Sequence, residues 1–275
     1  MRTVTDALQT APLPGRSGLA LLAALLAALR SHWRHYVAEA AGLAFFIACA
    51  SVFTVLLEHP ASPVYQALAG YEVGRRAVLG VGMGFVIVAI VYSPWGKQSG
   101  AHINPAVTLA FWYLGKLRGA DALWYGVAQV LGGLAGAGWC KQVLGRYYAH
   151  PSVHHITTRP GPDGPGVAFG AELLISFVSM AVLLGALHHA RLEKATGWLI
   201  GGLIALYILV ETPYSGMSLN PARSLASAVA AQDFRALWVY LVAPPLGMGL
   251  AAVLCRGWRR GRAGGAEPPH YPAPG

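Results

Sequence analysis

The sequence predicts an all-α integral membrane protein, in which six transmembrane helices and two re-entrant half-helices form an inverted three-helix repeat. Three observations predict it. Hydrophobic residues make up 55% of the chain and charged residues 11%, against about 25% charged in soluble domains, so most of the surface faces lipid. Six apolar segments are long enough to span a bilayer. The chain has only two asparagines, and each opens the same tripeptide, Asn104-Pro105-Ala106 and Asn220-Pro221-Ala222.

Each element follows from its residues. Residues 1–35 form an N-terminal extension whose apolar stretch, 19–29, is too short to span and reads as an interfacial or capping helix. Asp6 upstream argues against a secretory leader. A membrane domain over 36–256 follows, with repeat one at about 36–143 and repeat two at about 168–256. The spans of repeat one are 36–57, 77–93 and 122–143; those of repeat two are 168–187, 195–210 and 236–255. The Pro- and Gly-rich connection 145–166 predicts irregular structure, and the tail 257–275 predicts disorder.

The tripeptides sit between the second and third spans of each repeat. Asparagine is a preferred helix N-cap and proline is favoured at the first helical position, so each tripeptide opens a helix. The apolar runs that follow, 107–113 and 225–231, are far shorter than the roughly 20 residues a span requires. Two half-helices are implied. Three spans per half is an odd number, so the second half enters the membrane inverted, and the half-helices meet with their positive N-termini facing each other.

Charge fixes an orientation. With six spans, 13 Lys and Arg fall on the side of the termini and 6 on the other, and Arg223 belongs to neither group. Both termini are therefore expected in the cytoplasm. The net charge of +9 is not arranged as a basic stripe interleaved with aromatics, so nucleic acid is excluded as a partner. Cys49, Cys140 and Cys255 lie within or at the ends of apolar runs without metal-ligand spacing, and read as packing residues. No metal or cofactor is expected.

Only two of the 11 acidic residues lie within spans, Glu39 and Glu172, at matching positions of the repeats. A buried carboxylate requires partners, and the non-helical backbone of each re-entrant loop supplies donors that need acceptors. Each glutamate is expected to support the loop of its own repeat.

The stretches Ser99-Gly100-Ala101-His102-Ile103-Asn104-Pro105-Ala106-Val107-Thr108 and Ser218-Leu219-Asn220-Pro221-Ala222-Arg223-Ser224 resemble the paired signatures of the major intrinsic protein family, the aquaporins and glycerol facilitators. The resemblance covers roughly residues 36–256 and is closer to bacterial aquaporin-like members. It implies a channel in each subunit of a homotetramer, passing water or small uncharged solutes across a cell membrane, with no enzymatic chemistry. The composition, rich in Ala, Gly and Arg, and the short loops fit a bacterial inner membrane.

By this resemblance the two Asn-Pro-Ala motifs form the pore midplane, where opposed helix dipoles repel cations and the Asn amides donate to the permeant. Glu39, Glu172, His102 and Gln129 support the loops. Arg223 lines the outer constriction, where a gap-free count from the asparagines places Gly84, Ile208 and Met217 beside it. Glycine and isoleucine in place of an aromatic and a histidine imply a wider, more apolar filter for small uncharged solutes such as glycerol or urea. Ser224 and Ala228 instead follow the water-channel pattern, so both permeant classes stay open, with water first. A channel-fold structural protein with a poor pore is the remaining alternative.

Two other constellations carry less. His150, His154 and His155 share the outer connection without an acidic neighbour in sequence. Gly216-Met217-Ser218-Leu219 lacks the second glycine of an intramembrane serine hydrolase motif, and no histidine lies well inside a span to act as base.

Overall fold

The computed structural model describes residues 18–262, with side chains through 257. Among the described residues there are no strands, and eight helices of nine residues or more carry the architecture. Repeat one contains α1 (Gly18–Glu58), α2 (Glu72–Tyr92), the half-helix α3 (Pro105–Tyr113) and α4 (Gly119–Leu144). Repeat two contains α5 (Gly164–Ala186), α6 (Thr196–Val210), the half-helix α7 (Pro221–Ala231) and α8 (Leu237–Arg262). The repeats pack alike: α1 lies along α4, and α5 along α8. They join through α2 against α6, and through each half-helix against the last helix of the other repeat, α7 on α4 and α3 on α8.

All six expected spans correspond to helices, but only four, α1, α2, α5 and α8, are long and apolar enough to cross a membrane on those grounds alone. α4 is long but carries Asp121, Gln129, Lys141 and five glycines beyond its first residue. α6 is strongly apolar but has 15 residues, which at 1.5 Å per residue reach about 22 Å of a roughly 30 Å hydrocarbon core.

The apolar stretch 19–29 is not a separate capping helix. It runs into the first span as one helix, bent at His32 (φ −121°, ψ 15°). The bend is tied to the start of α4: His32 Nδ1 and the Tyr36 hydroxyl both lie 2.7 Å from Asp121 Oδ1, and Trp124 Nε1 donates to the Leu25 carbonyl. The connection 145–163 carries two short helical turns, Arg146–Ala149 and the 3₁₀ turn His154–Ile156, in a largely irregular path, and residues 164–166, expected to be irregular, already form the first turn of α5.

Glycine sets the helix spacing across the repeat boundary. A Cβ built on Gly80 would lie 2.6 Å from the Ala205 carbonyl oxygen, and one on Gly84 2.6 Å from that of Gly201, so α2 and α6 touch backbone to backbone. Gly132 and Gly136 bring α4 against Ala40 and Ala44 of α1 in the same way, whereas Gly138 faces open space.

Candidate functional site

The two tripeptides build one site. Pro105 and Pro221 start α3 and α7, and each preceding asparagine caps its helix: Asn104 Oδ1 accepts from Ala106 N (2.9 Å), and Asn220 Oδ1 from Ala222 N (3.0 Å) and Arg223 N (3.2 Å). With the oxygen of each amide used as a cap, the nitrogen is free to donate. Asn104 Nδ2 donates to the Leu219 carbonyl (2.8 Å) and Asn220 Nδ2 to the Ile103 carbonyl (2.7 Å). Both amides were expected to donate to the permeant. One proton of each instead ties the two half-helices together, and an NH₂ group has a second proton to offer.

The backbone before each asparagine is left-handed at alternate residues, Ala101 (φ 50°) and Ile103 (φ 42°), then Met217 (φ 52°) and Leu219 (φ 58°). Such non-glycine conformations cost about 1–3 kcal/mol each and persist only where surroundings over-determine them. The glutamates do so. Glu39, fully buried, accepts from His102 N (3.0 Å), Ile103 N and Gln129 Nε2 (2.7 Å). Glu172, also fully buried, accepts from Ser218 N (2.6 Å), Leu219 N (2.8 Å) and the Ser215 hydroxyl (2.7 Å). The correspondence extends further out: Gly100 and Gly216 end the preceding turns in left-handed geometry, and the hydroxyls of Tyr125 and Tyr240 donate to the Ser99 and Ser215 carbonyls.

A cavity of about 340 Å³ ends at this pair of asparagines. Its walls are mostly apolar, with Ile87 and Val91 of α2, Ile200 and Ile204 of α6, and Phe111 of α3; His102 and Ser179 add polar atoms. His102 is held by its ring against Phe111 and by Nδ1 at 3.1 Å from the Thr108 hydroxyl, which also accepts from Gln129.

The four expected constriction residues do not behave alike. Arg223 is partly buried, and its Nη1 donates to the Ile156 carbonyl (2.8 Å), which the left-handed turn at His154–Ile156 presents to it. Ile208 and Met217 are buried in one apolar cluster outward of the cavity. Gly84 is instead spent on the contact with Gly201, and its neighbour Phe85 is 57% exposed, with its ring against Trp198. The neighbour on the other side, Met83, is 2% exposed and in the same cluster as Ile208 and Met217. Met83 lies one helical turn outward of Ile87 on the stripe that lines the cavity, as Ile208 does beyond Ile204. Counting from Asn104 lands on Gly84, one residue away from Met83, and the i, i+4 spacing of 83, 87 and 91 is what sets Met83 on the cavity-facing stripe.

The outer histidines separate. His150 pairs with His59, rings 4.5 Å apart, while His154 Nε2 lies 3.5 Å from Asp233, an acid distant in sequence that also binds Arg159 and Arg235. These arginines hold the Asp233 carboxyl far below the usual range. Among the described residues, no group of three or more metal-ligating side chains gathers, and all three cysteines are free.

Comparison with known proteins follows the same lines. The family model described as "Major intrinsic protein" matches residues 27–255. The chain is 38% identical over 183 residues to the "Probable aquaporin NIP7-1" of Arabidopsis thaliana, covering 66% of this chain and 63% of that protein. It is 33% identical over 198 residues to the "Glycerol uptake facilitator protein-like 6" of Lactiplantibacillus plantarum, covering 70% of this chain and 91% of that one. The first of these relatives is thus spanned over less than two thirds of its length. The X-ray structure of the aquaglyceroporin from Plasmodium falciparum superposes with a TM-score of 0.66 at 21% identity, covering 85% of this chain and 98% of that one, which shows the shared fold. The chain belongs to the major intrinsic protein family, whose members are membrane channels and not enzymes.

Proposed function

We propose that this protein is a passive, ion-excluding channel for water. The observation that supports the reading most is the cross-tied Asn104–Asn220 pair at the end of the cavity, where two half-helix N-termini converge. Their dipoles make the midplane electropositive, so a cation meets a barrier while a neutral molecule finds amide donors. Outward of that point, Arg223 adds a fixed charge beside Ile208 and Met217, and Met83 takes the place first assigned to Gly84. The subunit contains its own pore; assembly is as a homotetramer in a cell membrane, with both termini cytoplasmic, and composition favours a bacterial inner membrane.

A second reading, permeation of small uncharged solutes such as glycerol, is favoured by the apolar character of Met83, Ile208 and Met217 and by the glycerol facilitator among the relatives. Stopped-flow light scattering of reconstituted vesicles under water, glycerol and urea gradients tests both. Water permeability well above that of protein-free vesicles is expected. Background permeability in vesicles holding folded protein overturns the channel reading, and solute flux that keeps pace with water decides for the second.

A further inference from the structure

We propose that Glu211 is a positioning residue for permeation: a second buried carboxyl behind the outer re-entrant loop, whose protonation state sets the placement of Met217 and Ser218. The inference rests on the channel reading. Glu211 follows the last residue of α6, is 5% exposed, and has both carboxyl oxygens buried without a hydrogen-bond partner. Its backbone is fully used: the N–H donates to the Tyr207 carbonyl, and the carbonyl accepts from Tyr214 N, at the head of the short turn Thr212–Ser215.

Symmetry shows that the loop does not need this acid as scaffold. Counting back nine residues from each asparagine gives Glu211 in repeat two and Trp95 in repeat one. The carboxylate, serine and tyrosine supports of the two loops have counterparts of like chemistry, Glu39 for Glu172, Ser99 for Ser215, Tyr125 for Tyr240, while Gln129 serves repeat one alone. Glu211 is an addition to the design.

Its surroundings decide what it does. Glu172 already takes three donors, an arrangement suited to an ionised carboxylate that accepts only. A neutral Glu211 beside it is tolerated; an ionised one would face a like charge in a site closed to water. Burial first, and then the charge of Glu172, push the Glu211 carboxyl up to about 8. The donors nearest to it are the Ser215 hydroxyl and Met217 N–H. Ser215 now donates to Glu172 and accepts from Met217 N (3.1 Å). An ionised Glu211 would draw both donors away and turn the left-handed Met217 out of its place.

The other charged or titratable groups on the packed elements are few. Tyr240 of α8 donates to the Ser215 carbonyl, and Arg223 of α7 acts on Glu172 and Tyr240. Arg159, whose backbone approaches Gly216, is held by Asp233. On the first turns of α2, Arg75 binds Glu58, and Arg76 lies 3.9 Å from Glu72. Tyr207, one turn back on α6, has a buried hydroxyl without a partner.

The test is water permeability of reconstituted full-length channel from pH 6.5 to pH 9. Wild type is expected to follow the neutral fraction of Glu211, falling to half near pH 8 and to about one tenth at pH 9. Glu211→Gln, which keeps the shape of the neutral acid, is expected to give the same permeability at both ends of the range. If that variant fails to assemble, Glu211→Met takes its place. A flat wild-type profile, or a variant that loses permeability over the same window, overturns the proposal while leaving the channel reading intact. Background permeability at every pH overturns the channel reading, and this proposal with it.

Discussion

Asn104 and Asn220 are tied to each other's loops, each amide nitrogen donating to the carbonyl that immediately precedes the other asparagine, at 2.8 and 2.7 Å. Each residue therefore does two jobs with one side chain, capping its own half-helix and anchoring the opposite one. Replacing Asn104 with Ala removes a cap worth about 1 kcal/mol and a cross-loop bond worth about 1 kcal/mol. Water permeability per folded channel should fall sharply, read by stopped-flow scattering normalised to assembled protein. Because the two ties close one junction, the stability losses of the Asn104→Ala and Asn220→Ala variants should not add, and a thermal double-mutant cycle measures the shortfall. Unchanged water flux in an assembled double variant sinks the midplane role.

The buried glutamates serve the loops, so their loss is expected in stability. Glu39→Gln puts an amide where a carboxylate accepts from His102 N, Ile103 N and Gln129, turning one acceptor into a donor that faces donors. A cost of about 2–3 kcal/mol follows for hydrogen bonds to a charged group. Thermal unfolding in detergent should show it as a lowered midpoint. A Glu39→Gln channel as stable as wild type contradicts the loop-supporting role.

Arg223 touches the outer connection through the Ile156 carbonyl and packs no core cluster. Arg223→Val is expected to assemble and to leak protons or small cations, because the fixed charge of the outer constriction is gone. A pH-sensitive dye trapped in vesicles reads the leak. An assembled variant that stays ion-tight removes Arg223 from the selectivity role.

Substitutions at Met83 and Gly84 test which of the two belongs to the proposed filter. Even Gly84→Ala places a Cβ 2.6 Å from the Gly201 oxygen, and overpacking of this kind costs about 1–3 kcal/mol; Gly84→Phe should assemble poorly. Met83→Phe with Ile208→His should assemble, narrow the constriction and supply a polar group. Glycerol flux relative to water is then expected to drop. Equal ratios before and after, in assembled channels, place the constriction elsewhere.

Much of this was legible because it is local. Asn followed by Pro writes a helix start into three residues, and the paired glutamates stand out because charges in apolar runs are few. Connections between distant segments were not legible. The amide ties join residues 115 and 117 positions apart, and the pairing of His154 with Asp233 joins two loops. The offset between Gly84 and Met83 has a different cause: side chains on a helix turn by about 100° per residue, so a shift of one exchanges a residue at a helix contact for one on the cavity-facing stripe. Glu211 stayed hidden because it closes an apolar run, where an acid reads as the start of a loop. The apolar stretch 19–29 joins the first span across the polar residues 30–35, and the contacts that hold the bend there, His32 and Tyr36 on Asp121 and Trp124 on Leu25, come from a helix far along the chain.

The cross-ties also set a timetable. Ile103 and Asn104 leave the ribosome long before Leu219 and Asn220, and at about 5–20 residues per second their partners follow about 6–23 s later. In that interval α3 has neither the Asn220 amide nor α8 to lean on, and the Gly80–Gly84 face of α2 has no α6 to cover it. The first half of the newborn chain is thus a docking surface for its own second half. Whatever shelters that surface in the membrane during synthesis, lipid or insertion machinery, must yield when α6 arrives.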